Sequence, residues 1–258
     1  MLILLPPSEG KADNPPTGTP LDLNTLSFPE LTPTRLKVLT SLVKLAQGPR
    51  DKAVVALGLT PGLADELDKD AALLTAPVQA VADLYTGVLY DALDLAGLPP
   101  AARRRADERL VTFSALFGAL RPHDQVPSYR LLPAAKLPRL KSLASIWKFV
   151  MPSALDAAAS EGVVLDLRSG PYVALWRPSS EIAQRTVAVR VLHEVAPGKR
   201  MIVSHFNKAT KGRIVNGLLR QRGNPNSPAD LADALSNDGW SIEPDPTGTR
   251  IDVVVSQV

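Results

Sequence analysis

The sequence predicts a single α/β domain of mixed (α+β) type spanning residues 1–258, a mixed sheet flanked by helices. Three observations carry this: short leucine-rich or β-branched runs of strand length recur along the chain, longer stretches of helical period separate them, and Pro or Gly punctuates most junctions. At 258 residues and 45% hydrophobic composition, the chain can bury one large core or two modest ones.

Taken in order, Leu2–Leu5, Val163–Leu167, Val187–Leu192, Met201–Ser204 and Ile251–Val255 read as strands. Pro33–Ala46, Pro77–Ala96, Arg109–Phe117, Leu143–Ser160, Lys208–Arg222 and Pro228–Asn237 read as helices. The Pro-rich stretch from Asn14 to Pro33 reads as a long surface loop or crossover, with no internal repeat and no low-complexity linker.

Charge is unevenly placed. Residues 1–100 carry a net −5, residues 101–222 a net +13 and residues 223–258 a net −5, an arrangement compatible with a basic cleft or with a dispersed charged surface. Lys199–Arg222 is the densest basic stretch, with seven basic residues and no acid. Ser204 or Asn207 can cap a helix there. At about 100° per residue, Ile214, Val215, Leu218 and Leu219 form its apolar face, and Arg213 and Arg220 fall opposite. Lys208 and Lys211 lean toward the protein body in the expected first turn. Beside free N–H groups they either await an anion or snorkel to water or a carboxylate.

Three further clusters can carry chemistry. Pro6-Pro7-Ser8-Glu9-Gly10-Lys11 follows the first strand, where Ser8 and Lys11 can hold an oxyanion, although the spacing of a Walker A loop is missing. In the Phe113 to Arg130 block, Arg121 and Asp124 read as structural salt-bridge partners and Arg130 as the functional arginine. Leu57 to Ala64 reads as a helical hairpin turn around Gly58 and Gly62, able to present backbone N–H groups to phosphate.

The chain has no cysteine, which excludes disulfides, thiolate catalysis and iron–sulfur ligation. Its three histidines, His123, His193 and His205, lack ligand spacing, so no metal and no cofactor is expected. His205, near Lys208, reads as a structural residue or a proton donor. The first residues lack the n-region and length of a signal peptide, and no apolar run is long enough to span a membrane. A soluble, cytoplasmic, monomeric protein is expected.

Six short motifs occur in order: Met1 to Lys11, Leu84-Tyr85-Thr86-Gly87, Leu116 to Leu131, Ile146-Trp147, Val164 to Tyr172, and Ser204 to Arg213. In order and spacing they resemble the YaaA peroxide-stress protein family over nearly the whole chain. The resemblance implies a positively charged cleft and a helix-hairpin-helix-like element. It also implies protection from peroxide and from damage linked to intracellular iron, and binding to duplex and branched DNA. The matching cleft positions are Lys11, Tyr85, Arg121, Tyr129, Arg130, Lys208 and Lys211. Two functions follow as expectations. One is a non-enzymatic DNA-binding protein that neutralises phosphates; the other is an enzyme acting on a nucleotide or other small phosphate-bearing ligand in a Lys/Arg/Tyr pocket.

Overall fold

Strand β1 (Leu2–Leu5) is the hub of the architecture. All four of its side chains are buried, so both faces of the sheet are covered there, as a continuous apolar run requires. The computed structural model describes residues 1–196, 199–202 and 204–255, without the side chains at 61, 204 and 205. After β1 the strands are β2 (Gln79–Ala80), β3 (Leu110–Ser114), β4 (Gly118–Leu120), β5 (Gln125–Val126), β6 (Val164–Asp166), β7 (Thr186–Ala196), β8 (Lys199–Met201), β9 (Ser241–Pro244) and β10 (Arg250–Val255).

Among the described residues, one sheet runs β4-β3-β1-β6-β7-β10-β9, with β8 paired to β7; β2 and β5 form a separate small ribbon. The pairs β3–β1, β1–β6, β6–β7 and β7–β10 are parallel, and β4, β8 and β9 are antiparallel additions. The chain builds from β1 to β3 on one side, then reverses to β6, β7 and β10 on the other. Such a reversal opens a crevice at the carboxyl ends of the strands, the usual ligand position in open α/β sheets.

The Ser204–Arg220 helix packs on the Val88–Leu93 helix, on the Pro100–Arg109 helix and on β7; the Thr32–Ala46 helix packs on the Glu66–Ala71 and Leu143–Ala158 helices. Ile214, Val215, Leu218 and Leu219 are buried and Arg213 and Arg220 exposed, as the helical period predicts. Pro228–Asn237 forms its helix with the predicted bounds, started by a capping box between Ser227 and Asp230. No helix among the described residues is long and apolar enough to cross a membrane.

Four expected elements differ. Arg109–Phe117 is not a helix: the helix Pro100–Arg109 ends there and Leu110–Ser114 becomes β3, paired in parallel with β1. All five β3 residues are buried, Thr112 and Ser114 included, so it has no solvent face for a pattern to mark, and a run of five is too short for its period to separate strand from helix. Pro77–Ala96 is broken into β2, a turn of helix at Val81–Leu84 and a second helix at Val88–Leu93. The break falls at Gly87, whose φ of 94° no helix accommodates. The basic helix begins at Ser204, not Lys208, so Lys208 and Lys211 lie beyond its first turn and its free N–H groups. The expected strand Met201–Ser204 reduces to β8, which ends at Met201; position 203 and the side chains of Ser204 and His205 lie outside the described residues.

Candidate functional site

Three loops leave the carboxyl ends of β1, β3 and β6 and meet above the switch point. The first, Pro6 to Lys11, is stiffened by two prolines and then pairs as a β-bridge with Tyr85. Ala12 N–H donates to Leu84 O at 2.8 Å, and Thr86 N–H to Gly10 O at 3.3 Å. The helix break at Gly87 is what frees Tyr85 for this pairing. Lys11 Nζ therefore lies 5.6 Å from the Tyr85 ring centroid and 4.5 Å from that of Tyr129. Its one hydrogen bond among the described residues goes to Ser8 O, at 3.2 Å. Burial pushes the Lys11 amine down to about 8, and Arg130 adds to this; Asp70, Glu66 and Glu9 pull the other way.

Arg130 and Asp70 form the flank of this lysine. The Arg130 backbone N–H donates to Asp70 Oδ1 at 2.9 Å. Its Nη2 contacts Glu9 Oε2 at 3.0 Å, and Nη1 reaches the Glu9 carbonyl oxygen at 3.3 Å. Asp70 is fully buried, and among the described residues neither its Oδ2 nor Arg130 Nε has a hydrogen-bond partner. Burial raises the Asp70 carboxyl to about 7; Arg130 N–H opposes this and the Glu66 charge adds to it.

Tyr129 is also the middle member of a chain of hydroxyls, between Ser114 and Tyr85. Ser114 Oγ accepts from Leu116 N–H at 3.2 Å and Phe117 N–H at 3.0 Å, so its own proton is directed to Tyr129 Oη, 2.6 Å away. Tyr129 and Tyr85 share a hydrogen bond of 2.8 Å. Of the two phenol protons one fills that bond, and the other has no acceptor among the described residues. Burial raises both phenols. Tyr129 reaches only about 12, because Ser114 and Tyr85 both stabilise its phenolate, whereas Tyr85 goes well above its ordinary value.

Beside this group lies a cleft of about 740 Å³, within the range of small-ligand sites. The Pro6–Gly10 loop, Thr86 to Tyr90, Leu132 to Ala134, Tyr172 and Lys208 line it. Lys11, Tyr85, Tyr129 and Arg130 thus form one cluster, whereas Ser8 and Lys208 line the cleft beside it, a lining to which those four do not belong. Lys208 is exposed at the lining. Lys211 is half-buried, its pKa lowered by burial against the pull of Asp166. Arg213 is exposed and outside the lining. Arg121 also lies outside it: its Nη1 donates to Glu108 O at 2.7 Å and Leu110 O at 3.0 Å. Asp124 caps the backbone N–H of Arg121 at 2.7 Å and binds Ser27, so the expected salt bridge is a turn held through backbone.

A second cleft, of about 780 Å³, lies beside the turn between the Arg50–Leu57 and Glu66–Ala71 helices. It is lined by Lys52, Val55, Gly58 and Lys136 among others, and shares Leu132 and Ala134 with the first. Sequence reading missed Asp70, Glu9 and Ser114 as members of the first site. Ser114 lies in a motif already singled out. Nothing local marks Asp70 in its acid-rich helix. Among the described residues no group of acids and histidines is placed to hold a metal ion.

A family model described as peroxide stress protein YaaA matches residues 1–245. UPF0246 protein SCO2297 of Streptomyces coelicolor is 50% identical over 100% of both chains. UPF0246 protein CE1889 of Corynebacterium efficiens is 38% identical, over 94% of this chain and 95% of its own. Uncharacterized protein Cj0984 of Campylobacter jejuni is 29% identical, over 84% and 83%. With its family model matched almost end to end and a relative half identical over its full length, the chain belongs to the peroxide stress protein YaaA family, UPF0246.

Proposed function

We propose that the cleft at the carboxyl end of β1 binds a small phosphate-bearing ligand of nucleotide size, and that Lys11 exchanges a proton with it in the peroxide-stress role for which the family is named. The observation that carries this is Lys11 itself, an amine brought to about 8 beside Arg130 and over two tyrosine rings. A cation meant only for a polyanion surface gains nothing from such burial; a lysine near its pKa at physiological pH is suited to acid–base work. The spare phenol proton of the Tyr85–Tyr129 pair supplies a second donor. Calorimetric titration of AMP and inorganic phosphate tests the reading. Binding at pH 7 that weakens above about pH 8, and that loses both strength and this pH dependence in Lys11→Met, is the expected result. Lys11→Met binding as tightly as the parent refutes it.

A second reading, duplex or branched DNA as the partner, draws on different residues. Lys52 and Lys136 flank the Gly58 turn, and the two clefts meet at Leu132 and Ala134, with Lys208 exposed beyond. A phosphate backbone laid along this path would be held by counterion release with little base readout. Fluorescence anisotropy of a labelled duplex across a salt series separates the readings. Under this one, Lys52→Ala with Lys136→Ala lowers the salt slope by about two, while Lys11→Met leaves it unchanged.

A further inference from the structure

We infer that the Glu9 carboxylate is a built-in stand-in for the ligand's oxyanion, occupying Arg130 until a phosphate or carboxylate group displaces it. The inference rests on the small-ligand reading above and specifies its anion subsite.

The pair is asymmetric. The Arg130 side chain is only 13% exposed, whereas that of Glu9 is 74% exposed. The receptor is built into the protein and its present partner is not. Glu9 sits between Pro7 and Gly10 on a loop that lines the cleft, so its carboxylate can swing away without disturbing the sheet. With its carboxylate partner largely in water, the pair holds Glu9 only weakly, by about 0–1 kcal/mol. The guanidinium is also incompletely used: a single Glu9 carboxylate oxygen meets Nη2, the Glu9 main-chain oxygen meets Nη1, and Nε has no partner among the described residues. An arginine fork holds a multidentate oxyanion better than one oxygen.

Lys11 gives the second reason. Arg130 disfavours its ammonium, which among the described residues donates only to the Ser8 carbonyl oxygen. A phosphate reaching both cations relieves their repulsion, and the more exposed Glu9 carboxylate does so only in part. Displacement leaves the Glu9 side chain in water, where most of it already is.

The test is titration of inorganic phosphate into the full chain and its Glu9→Gln, Glu66→Gln and Arg130→Gln variants. Glu66 also acts on Lys11 but is hydrogen-bonded to Lys69, so Glu66→Gln removes a nearby charge without vacating Arg130. Phosphate affinity should rise in Glu9→Gln by up to about fivefold, the factor that 1 kcal/mol provides. Glu66→Gln should give a smaller gain and Arg130→Gln a loss. Phosphate binding that is unchanged or weaker in Glu9→Gln, or equally improved by Glu66→Gln, overturns the stand-in while leaving the small-ligand reading intact. No phosphate binding by any of the four proteins overturns both.

Discussion

Replacing Lys11 by Met measures how much the fold opposes its charge. The folded amine titrates at about 8 and the unfolded one near 10.5. Between those values the unfolded chain holds a proton that the folded chain has released, so wild-type stability rises with pH across that window. Below about pH 8 both states are charged and the cost is fully present. Converted at 1.36 kcal/mol per pH unit, the interval corresponds to about 3 kcal/mol. Met is unbranched, close in volume and unable to titrate. Urea unfolding of both proteins at several pH values from about 7 to 10.5 should therefore show the wild type gaining about 3 kcal/mol on Lys11→Met. Tyr85, Tyr90, Tyr129 and Tyr172, all with raised pKa, are common to both proteins, and their fall at alkaline pH cancels in the difference. Parallel curves would mean that Lys11 is as well solvated folded as unfolded, and its proposed proton exchange would lose its physical basis.

Three further substitutions probe the frame around it. Gly118 has φ of 77°, and a Cβ there would stand 2.6 Å from the Trp147 ring, whereas Gly58, at φ 67°, has nothing within 4 Å. Gly58→Ala should cost about 1 kcal/mol of left-handed strain and Gly118→Ala about 1–3 kcal/mol more from overpacking; equal urea midpoints would sink this account of Gly118. Asp70→Asn removes a carboxyl held near 7 in the fold and 3.8 outside it. The unfolded chain loses that proton first, so wild-type stability falls as pH rises through this window, and the variant should gain a few kcal/mol on it between about pH 4 and 7. A variant that runs parallel to the parent would show that Asp70 is hydrated.

Much of the frame is legible in the sequence because local signals agree there. Leu2–Leu5 is apolar at every position and stops at two prolines; Pro228–Asn237 has its cap, its N1 proline and its period in register. Reading fails where a long-range contact outweighs the local one. Leu110–Ser114 is a strand because β1 lies beside it, and five residues buried on both faces are too few for their pattern to reveal that. The site divides the same way. Ser8 and Lys11 follow a recognisable strand end, but Asp70 meets Arg130 across 60 residues, from a helix in which it is one acid among several.

Charge counting misleads for a more specific reason. The basic middle of the chain suggests a positive face, yet its arginines are largely committed to main-chain oxygens: Arg103 to Leu95, Arg105 to Leu219 and Arg220, Arg109 to Gly223, Arg185 to Ala159 and Gly162. Arg105 lies at the carboxyl end of the Ser204–Arg220 helix, where a cation completes free carbonyls and meets the negative dipole end. Arg121 binds two carbonyls in the same manner, and Arg168, its side chain fully buried, binds Asp166 and the carbonyls of Tyr172 and Trp176. Five donors in a fixed fork let arginine close loops in this way, and a guanidinium so used has little left for a phosphate. What distinguishes a binding cation from a structural one is its remaining donor capacity rather than its place in a basic stretch. By that measure Arg121 drops out of the predicted set, while Lys11 and Arg130 remain.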